Sequence, residues 1–133
     1  FVSKHGESGD GDGQFNRPSG VAVDGEGYMY VADWGNERVQ ILDPDGEFVM
    51  KLRGEATISP WAQQFLDANQ DESRLRAVSD LRTAETVRGN SEHERSSHIE
   101  HLFWAPVSVK LDGAGRLYVV DRNRHRIQVY ARA

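Results

Sequence analysis

The sequence predicts a mainly β protein built from two copies of one antiparallel sheet unit, with an α-helical insert between them. Residues 18–43 align without a gap with residues 106–131, and the identical pairs include Asp33 with Asp121 and Arg38 with Arg126. In both copies apolar residues alternate with polar ones or form short runs between glycine-rich turns, which is typical of strands. The residues between the copies lack this pattern. Such a repeat means that one supersecondary unit is used twice.

Each copy is expected to contribute three strands, called a, b and c. They lie at residues 20–24, 28–33 and 38–42 in the first copy and at 108–112, 116–121 and 126–130 in the second. Paired glycines such as Gly25 and Gly27 supply the turn between strands a and b, because tight turns need positive φ. A fourth strand d, at residues 48–53, follows only the first copy, after a turn that begins at Pro44.

The N-terminal residues resemble strand d, because Phe1, Val2 and Lys4 match Phe48, Val49 and Lys51. The predicted order is therefore d-abcd-insert-abc. This order contains enough strands for two four-stranded antiparallel sheets, but the chain begins with strand d of one sheet and ends with strand c of another. Within the single unit of residues 1–133 this gives four parts: the outer strand of a neighbouring sheet (1–6), the first sheet (18–54), the helical insert (55–103) and strands a–c of the second sheet (106–131).

The two copies resemble the NHL repeat, a four-stranded blade of a β-propeller. The resemblance rests on one spacing of proline, aspartate, arginine and glutamine that both copies keep. Its positions are Pro18, Asp24, Asp33, Arg38 and Gln40, and Pro106, Asp112, Asp121, Arg126 and Gln128. This sequence departs from the family at Glu37, where His is frequent, and at Arg124, where Asn is usual. The resemblance implies propeller blades, and NHL propellers are usually six-bladed.

Two blades do not close a ring, so a lone pair exposes an apolar face at each end and an open strand edge. We expect residues 1–6 of one copy to complete the second blade of the next, which gives a head-to-tail homo-oligomer, expected as a trimer of six blades. The residues assigned to this contact are Phe1, Val2, Lys4, Ile127, Val129 and Tyr130. An excised part of a longer NHL propeller, a ring of another size and an open filament are the alternatives.

Two ion pairs are expected to hold the loops between strands b and c. Asp33 and Asp121 end their b strands, and Arg38 and Arg126 follow five residues later. Bidentate Asp–Arg bonds would pin each loop against a neighbouring blade. We interpret these aspartates as structural and not as catalytic.

The insert is expected to form helices that start at Ser59, near residue 71 and at Ser97, with a polar loop at residues 89–96. Ser97 and Glu100 have the capping-box spacing that opens helices. The aromatic and apolar residues of the insert would dock it on one rim of the propeller, or line a groove for a partner. The residues assigned to this surface are Trp61, Phe65, Leu66 and Trp104.

Catalytic and metal chemistry have weak support. His93, His98 and His101 are candidate metal ligands, but their spacing matches no metal motif, so we expect no metal site and no cofactor. The chain has no cysteine and no nucleophile elbow, so an enzyme is not expected. A metal-dependent lyase or hydrolase, or a ligand-binding propeller, remains the alternative that the resemblance leaves open.

The charge and hydrophobicity of the sequence limit the kinds of partner that we expect. The net charge of −5 argues against nucleic-acid binding. A basic run at residues 122–126 keeps single-stranded RNA as an alternative, because some NHL propellers bind it on a basic face. No apolar run approaches the roughly 20 residues of a membrane helix, so we expect a soluble protein of undetermined compartment. The predicted function is a structural or protein-interaction scaffold whose first partner is another copy of itself.

Overall fold

A computed structural model describes residues 1–54, 67–78 and 91–131 of the chain. The elements, in chain order, are β1 (Glu7–Ser8), β2 (Gln14–Phe15), β3 (Pro18–Val23), β4 (Met29–Asp33), β5 (Arg38–Leu42), β6 (Phe48–Leu52), α1 (Gln70–Val78), α2 (Glu92–His98), β7 (Pro106–Leu111), β8 (Leu117–Asp121) and β9 (Arg126–Tyr130). Strands β3 to β6 form one antiparallel sheet in sequential order, and β7 to β9 form a second. The predicted fold class, antiparallel propeller-type sheets with few helices, is confirmed.

The turns between the first two strands of each sheet are built on one aspartate. Asp24 accepts hydrogen bonds from the backbone N–H groups of Glu26 and Tyr28 at 2.9 and 3.0 Å. Asp112 does the same for Ala114 and Arg116, both at 2.9 Å. These bonds, the largest from the Arg116 backbone, lower the pKa of Asp112 to about 2. The repeated aspartate therefore fixes the turn that sets the register of the two strands.

The main core lies between the two sheets. On the first sheet, Ala32 and Val39 are fully buried, and on the second Val109 and Val119 meet them. Phe103, which precedes β7, is also fully buried in this cluster. Because strand side chains alternate between faces, the opposite face of each sheet points away from this core. We call the β3–β6 sheet blade 1 and the β7–β9 sheet blade 2.

The repeat extends to backbone conformation. Glu37 and His125 both adopt the left-handed region, with φ of 54° and 53°, directly after a 3₁₀ turn. Arg17 and Ala105, just before the first strand of each blade, also match, with φ of 55° and 62°. Non-glycine residues rarely adopt this region. Two shared departures of this kind show that the blades have the same loops as well as the same strands.

Each predicted ion pair is present, but with a different geometry from the one expected. Arg38 Nε lies 2.8 Å from Asp33 Oδ2, and Arg126 Nε lies 2.8 Å from Asp121 Oδ2. The pairs are not bidentate, because the other oxygen of Asp33 accepts the backbone N–H of Asn16 at 2.7 Å. The terminal nitrogens of Arg38 donate instead to backbone carbonyls that include Gln14. The pair therefore fastens the segment that leads into its own blade, and not a neighbouring blade.

The predicted helix start at Ser97 was wrong, and so was the predicted polar loop over residues 91–96, the part of 89–96 that the structure describes. Helix α2 begins one capping box earlier, where Ser91 caps the helix by accepting the Glu94 N–H at 3.2 Å, and it ends at His98. Both serines are followed three residues later by glutamate, so the pattern alone did not distinguish them. The helix expected from residue 71 begins at Gln70 and is described as far as Val78. Among the helices of the described ranges, none is long and apolar enough to cross a membrane.

Residues 1–6 form no strand within their own chain. The side chains of Phe1 and Val2 are fully exposed to solvent. The first strand, β1, begins at Glu7 and pairs with β2 in a short parallel ladder. Since the sheet that residues 1–6 are expected to complete belongs to another copy, their role as an outer strand stays a prediction.

The Asp33–Arg38 and Asp121–Arg126 ion pairs differ in burial, so the same substitution can be compared at the two sites. In Asp33→Ala the buried Arg38 loses its partner, so the free energy of unfolding should fall by about 3–5 kcal/mol. Asp121→Ala should cost less, about 2–3 kcal/mol, because Arg126 is 24% exposed against 3% for Arg38. Urea unfolding followed by tryptophan fluorescence measures both. Equal losses would contradict the assigned difference in desolvation.

Candidate functional site

The junction between blade 1, the insert and blade 2 is organised around Glu37. Its side chain is fully buried, and one carboxylate oxygen accepts the backbone N–H of Ala105, which leads into β7. The other oxygen accepts a hydrogen bond from His93 Nδ1 on α2 at 2.5 Å. The backbone of Glu37 is in the left-handed region, with φ of 54°. One carboxylate of blade 1 thus holds both the insert and the entry to blade 2.

Trp104 extends this network toward the surface. Its indole Nε1–H points at His93 Nε2 at 3.4 Å, and the two rings are 6.0 Å apart between centroids. The guanidinium of Arg124 lies over the Trp104 ring at 5.5 Å. Since Nε2 accepts from Trp104, the neutral histidine carries its proton on Nδ1, the nitrogen that faces Glu37. Arg124, Trp104 and His93 therefore form a line of contacts that leads from the surface to the buried carboxylate of Glu37.

Arginines complete the attachment of α2. Arg124 donates to the backbone carbonyls of Ser96 and Ile99 at 2.5 and 2.8 Å, at the end of α2. Arg53 forms an ion pair with Glu92 at the start of the helix. In blade 1 the residue equivalent to Arg124 is Asn36, which donates to Asp33 at 2.9 Å. Thus the longer side chain at position 124 reaches the insert where the shorter asparagine serves its own blade.

Burial controls the charges at this junction. Desolvation raises the pKa of Glu37 above its usual 4.5, although the Ala105 and His93 hydrogen bonds oppose the shift. Desolvation also lowers the pKa values of Arg53 and Arg124. A buried acid held by a histidine can serve catalysis when it faces a substrate. Here both carboxylate oxygens are bound to protein groups, so the arrangement supports a structural clamp.

A separate apolar groove of about 400 Å³ opens between the outer parts of the two blades. Met50 and Leu52 of β6 form one wall, and Leu117 and Tyr130 of blade 2 form the other. Leu52 and Tyr130 also pack against the buried core, so the groove continues the interface between the blades. It lies beside β9, the last strand of blade 2, whose outer edge has no strand partner among the residues that the structure describes.

The predicted site residues fall into three groups. Ile127 and Val129 are exposed on the outer face of blade 2, and Tyr130 lines the groove. His93 contacts Glu37. Within the described residues no group of three or more histidine, cysteine, aspartate or glutamate side chains could hold a metal ion, and the prediction about His93, His98 and His101 stays untested. Trp61, Phe65 and Leu66 lie outside the described residues.

The basic run is partly used within the protein. Arg124 and Arg126 donate to backbone carbonyls, Arg126 to Leu102 at 2.9 Å. Arg122 and His125 are exposed. The run therefore offers fewer available cations than its sequence suggests.

Sequence reasoning missed Glu37 as the centre of the junction. A signal was present, since Glu37 and Arg124 are the two positions where the repeats depart from the family pattern. Both residues contact the insert region in the structure, Glu37 through His93 and Arg124 through the end of α2. Departures from a repeat pattern therefore marked the residues that adapt the blades to the insert.

Two stacked antiparallel sheets of this type, one of four strands and one of three, have the arrangement of neighbouring blades of a β-propeller. The family model of the NHL repeat matches residues 15–42 and residues 103–130, which are blade 1 without β6 and blade 2. Residues 15–42 and 103–130 therefore match the NHL repeat, and helices α1 and α2 lie in the chain between them.

Three relatives illustrate the match. The chain is 53% identical over 48 residues to the B-box type zinc finger protein ncl-1 of Caenorhabditis elegans, which covers 36% of this chain and 6% of that protein. It is 51% identical over 47 residues to the E3 ubiquitin-protein ligase TRIM71 of Rattus norvegicus, covering 35% and 6%. It is 51% identical over 48 residues to the protein brain tumor of Drosophila melanogaster, covering 36% and 5%. The chain thus spans a small fraction of these relatives.

The raised pKa of Glu37 predicts a specific pH dependence. The folded state binds a proton at Glu37 more tightly than the unfolded state, so this residue's contribution to stability is full below 4.5 and is lost as pH rises through the folded value. The free energy of unfolding of the natural chain, minus that of Glu37→Gln, should therefore decrease as the pH rises from about 4 through the raised pKa of the folded state. Urea unfolding at each pH measures the difference.

Glu47→Gln, at an exposed glutamate in the β5–β6 turn, controls for the loss of one negative charge. Its difference from the natural chain should stay nearly flat over the same range. A flat difference for Glu37→Gln as well would mean that its carboxylate is not desolvated in solution.

Proposed function

We propose that the chain is a two-blade module of a larger propeller that acts as a protein-interaction scaffold, and that copies of the module associate head to tail. The observation that carries this proposal is a mismatch in burial between equivalent positions. Residues that are buried where blade 1 meets blade 2 have repeat equivalents that are exposed at the two ends of the pair.

The leading face of blade 2 illustrates the mismatch. Val39 and Ala32 of blade 1 are fully buried against blade 2. Their equivalents, Ile127 and Val120, are 62% and 38% exposed on the far side of blade 2. Val129, the equivalent of Ile41, is 51% exposed there as well. Monomeric proteins seldom leave a contiguous apolar sheet face in water.

The trailing face of blade 1 has the complementary character. Val109 of blade 2 is buried against blade 1, whereas its equivalent Val21 is 60% exposed. Phe15 stands on this side in the place that the buried Phe103 takes between the blades. The two end faces therefore correspond to the two halves of an interface that the chain already makes once. Repeating that interface between copies buries both faces.

This repetition is heterologous, so it closes into a ring if the rotation between blades allows it. Propellers of four to eight blades are typical, and three copies of a two-blade module give six. Residues 1–6 of each copy would complete the outer edge of blade 2 in the next copy by β-strand addition. The finished ring presents three inserts, each clamped by Glu37, as the surface available to other proteins.

The alternative functions have less support. The E3 ubiquitin-protein ligase activity in the name of one relative belongs to a protein of which the match covers 6%. The present chain has no cysteine, so it offers no thiolate ligands of the kind that zinc fingers use. RNA binding is disfavoured because two arginines of the basic run are bound within the protein and the net charge is −5.

Ile127→Glu tests the proposal. A charge on the outer face of blade 2 should weaken head-to-tail association by more than tenfold, because burying an aliphatic side chain contributes about 1.5–3 kcal/mol and a buried charge opposes it. Size-exclusion chromatography with light scattering should show the natural chain as a trimer and the variant as a monomer. Leu75→Glu on α1, another exposed apolar site, should leave the trimer intact.

A natural chain that stays monomeric at high concentration would refute self-assembly, and the module would then be one segment of a longer propeller chain. An assembled particle that Ile127→Glu leaves unchanged would refute the stacking of these faces. Circular dichroism confirms that each variant is folded.

A further inference from the structure

Blade 1 shows what a fourth strand does in this fold. Strand β6 pairs with β5 so that Lys51 lies opposite Gln40. Lys51 Nζ then forms an ion pair with Asp12 Oδ1 at 2.7 Å. Asp12 belongs to the loop that enters blade 1. The outer strand of the blade is therefore tied by one lysine to an acidic turn beside it.

The turn that carries Asp12 has an equivalent in blade 2. In blade 1 the Gln14 N–H donates to the Gly11 carbonyl at 3.1 Å, and before blade 2 the Leu102 N–H donates to the Ile99 carbonyl, also at 3.1 Å. The residue that follows the first carbonyl is Asp12 in the first turn and Glu100 in the second. An acidic side chain thus occupies the same position in both turns.

The surrounding contacts confirm that the two turns are equivalent. Arg38 donates to the carbonyl of Gln14 at 2.8 Å, and Arg126 donates to that of Leu102 at 2.9 Å. The N–H groups two residues further on bind the repeated aspartates, Asn16 to Asp33 and Trp104 to Asp121, both at 2.7 Å. Glu100 therefore stands beside blade 2 as Asp12 stands beside blade 1.

Lys4 is the residue of the N-terminal segment that matches Lys51. Phe1 and Val2 align with Phe48 and Val49 in the same register. The segment also ends in the same way as β6, because Gly6 and Gly54 both have positive φ, 83° and 88°. Added Cβ atoms on these glycines would collide with Phe15 and Phe103, the equivalent residues of the two blades. The segment is one residue shorter than β6 before its glycine.

We propose that Lys4 of one copy pairs with Glu100 of the next copy, and that this ion pair sets the register in which residues 1–5 add to β9. The inference rests on the proposed head-to-tail assembly and specifies its contact. In this register Lys4 lies opposite Gln128, as Lys51 lies opposite Gln40. Val2, on the same side of the strand as Lys4, faces the groove between β6 and β9.

Two features favour a second copy as the occupant. The groove is continuous with the interface that the two blades already form, so filling it extends a packed core. The segment also brings a cation to an acidic turn, whereas a strand one residue out of register would place Ser3 or His5 there. Because a one-residue slip exchanges the two faces of a strand, the charge pair and the buried Val2 require the same register.

A charge exchange tests this register in the full chain. Glu100→Lys and Lys4→Glu each place like charges together, and each should weaken association between copies by roughly three- to tenfold. The double variant Lys4→Glu with Glu100→Lys restores an attractive pair and should recover the affinity of the natural chain. Sedimentation velocity over a concentration series measures the dissociation constants. The loss in the single variants should shrink in about 1 M salt.

Glu26→Lys is the matched control, since it reverses an exposed glutamate on the turn between β3 and β4 and should leave association unchanged. If the natural chain assembles but the double variant associates no better than the single variants, this register is wrong while the head-to-tail assembly stands. If the natural chain is monomeric, both proposals fail. Recovery of the affinity in the double variant, and in neither single variant, supports the Lys4–Glu100 pair.

Discussion

The structure depends on a buried carboxylate at the end of the second strand of each blade. Asp33 gathers the Arg38 guanidinium, the Asn36 amide and the Asn16 backbone N–H around one fully buried side chain. Because a buried charge is tolerated only when it is paired and hydrogen-bonded, these groups must take up fixed positions together. The loop between strands b and c, and the segment that enters the blade, are thereby locked to the sheet.

This constraint also explains where the chain has room to vary. Asp121 repeats the arrangement in blade 2 with Arg126 and the Trp104 N–H. A loop residue that does not bind the aspartate of its own blade can make other contacts. Glu37 and Arg124 are such residues, and both connect the blades to the insert. Together with Arg53, which pairs with Glu92, these two side chains attach the insert to the blades.

Sheet faces of the two blades show why a repeat pair is incomplete as an isolated unit. The buried interface uses the leading face of blade 1 and the trailing face of blade 2, and it leaves their counterparts exposed. In a closed propeller every blade has two neighbours. The same apolar side chains that form the core between blades therefore form the surfaces by which this pair can associate further.

Strands β3 to β9, their order and the turns between the first two strands of each blade could be predicted from the sequence, because alternating apolar residues and glycine turns are local signals and the second copy supported the first. Strands β1 and β2 were not predicted. Helix α2 was placed wrongly, since Ser91 and Ser97 open the same capping pattern and only packing selects between them. The Glu37–His93 contact joins residues 56 positions apart, and no local pattern contains such information. The equivalence of Asp12 with Glu100 likewise depended on hydrogen bonds that the fold alone creates. Sequence therefore determined the units and their spacing, because these depend on neighbouring residues, while tertiary structure decided which distant side chains meet at the junction, because burial brings them together.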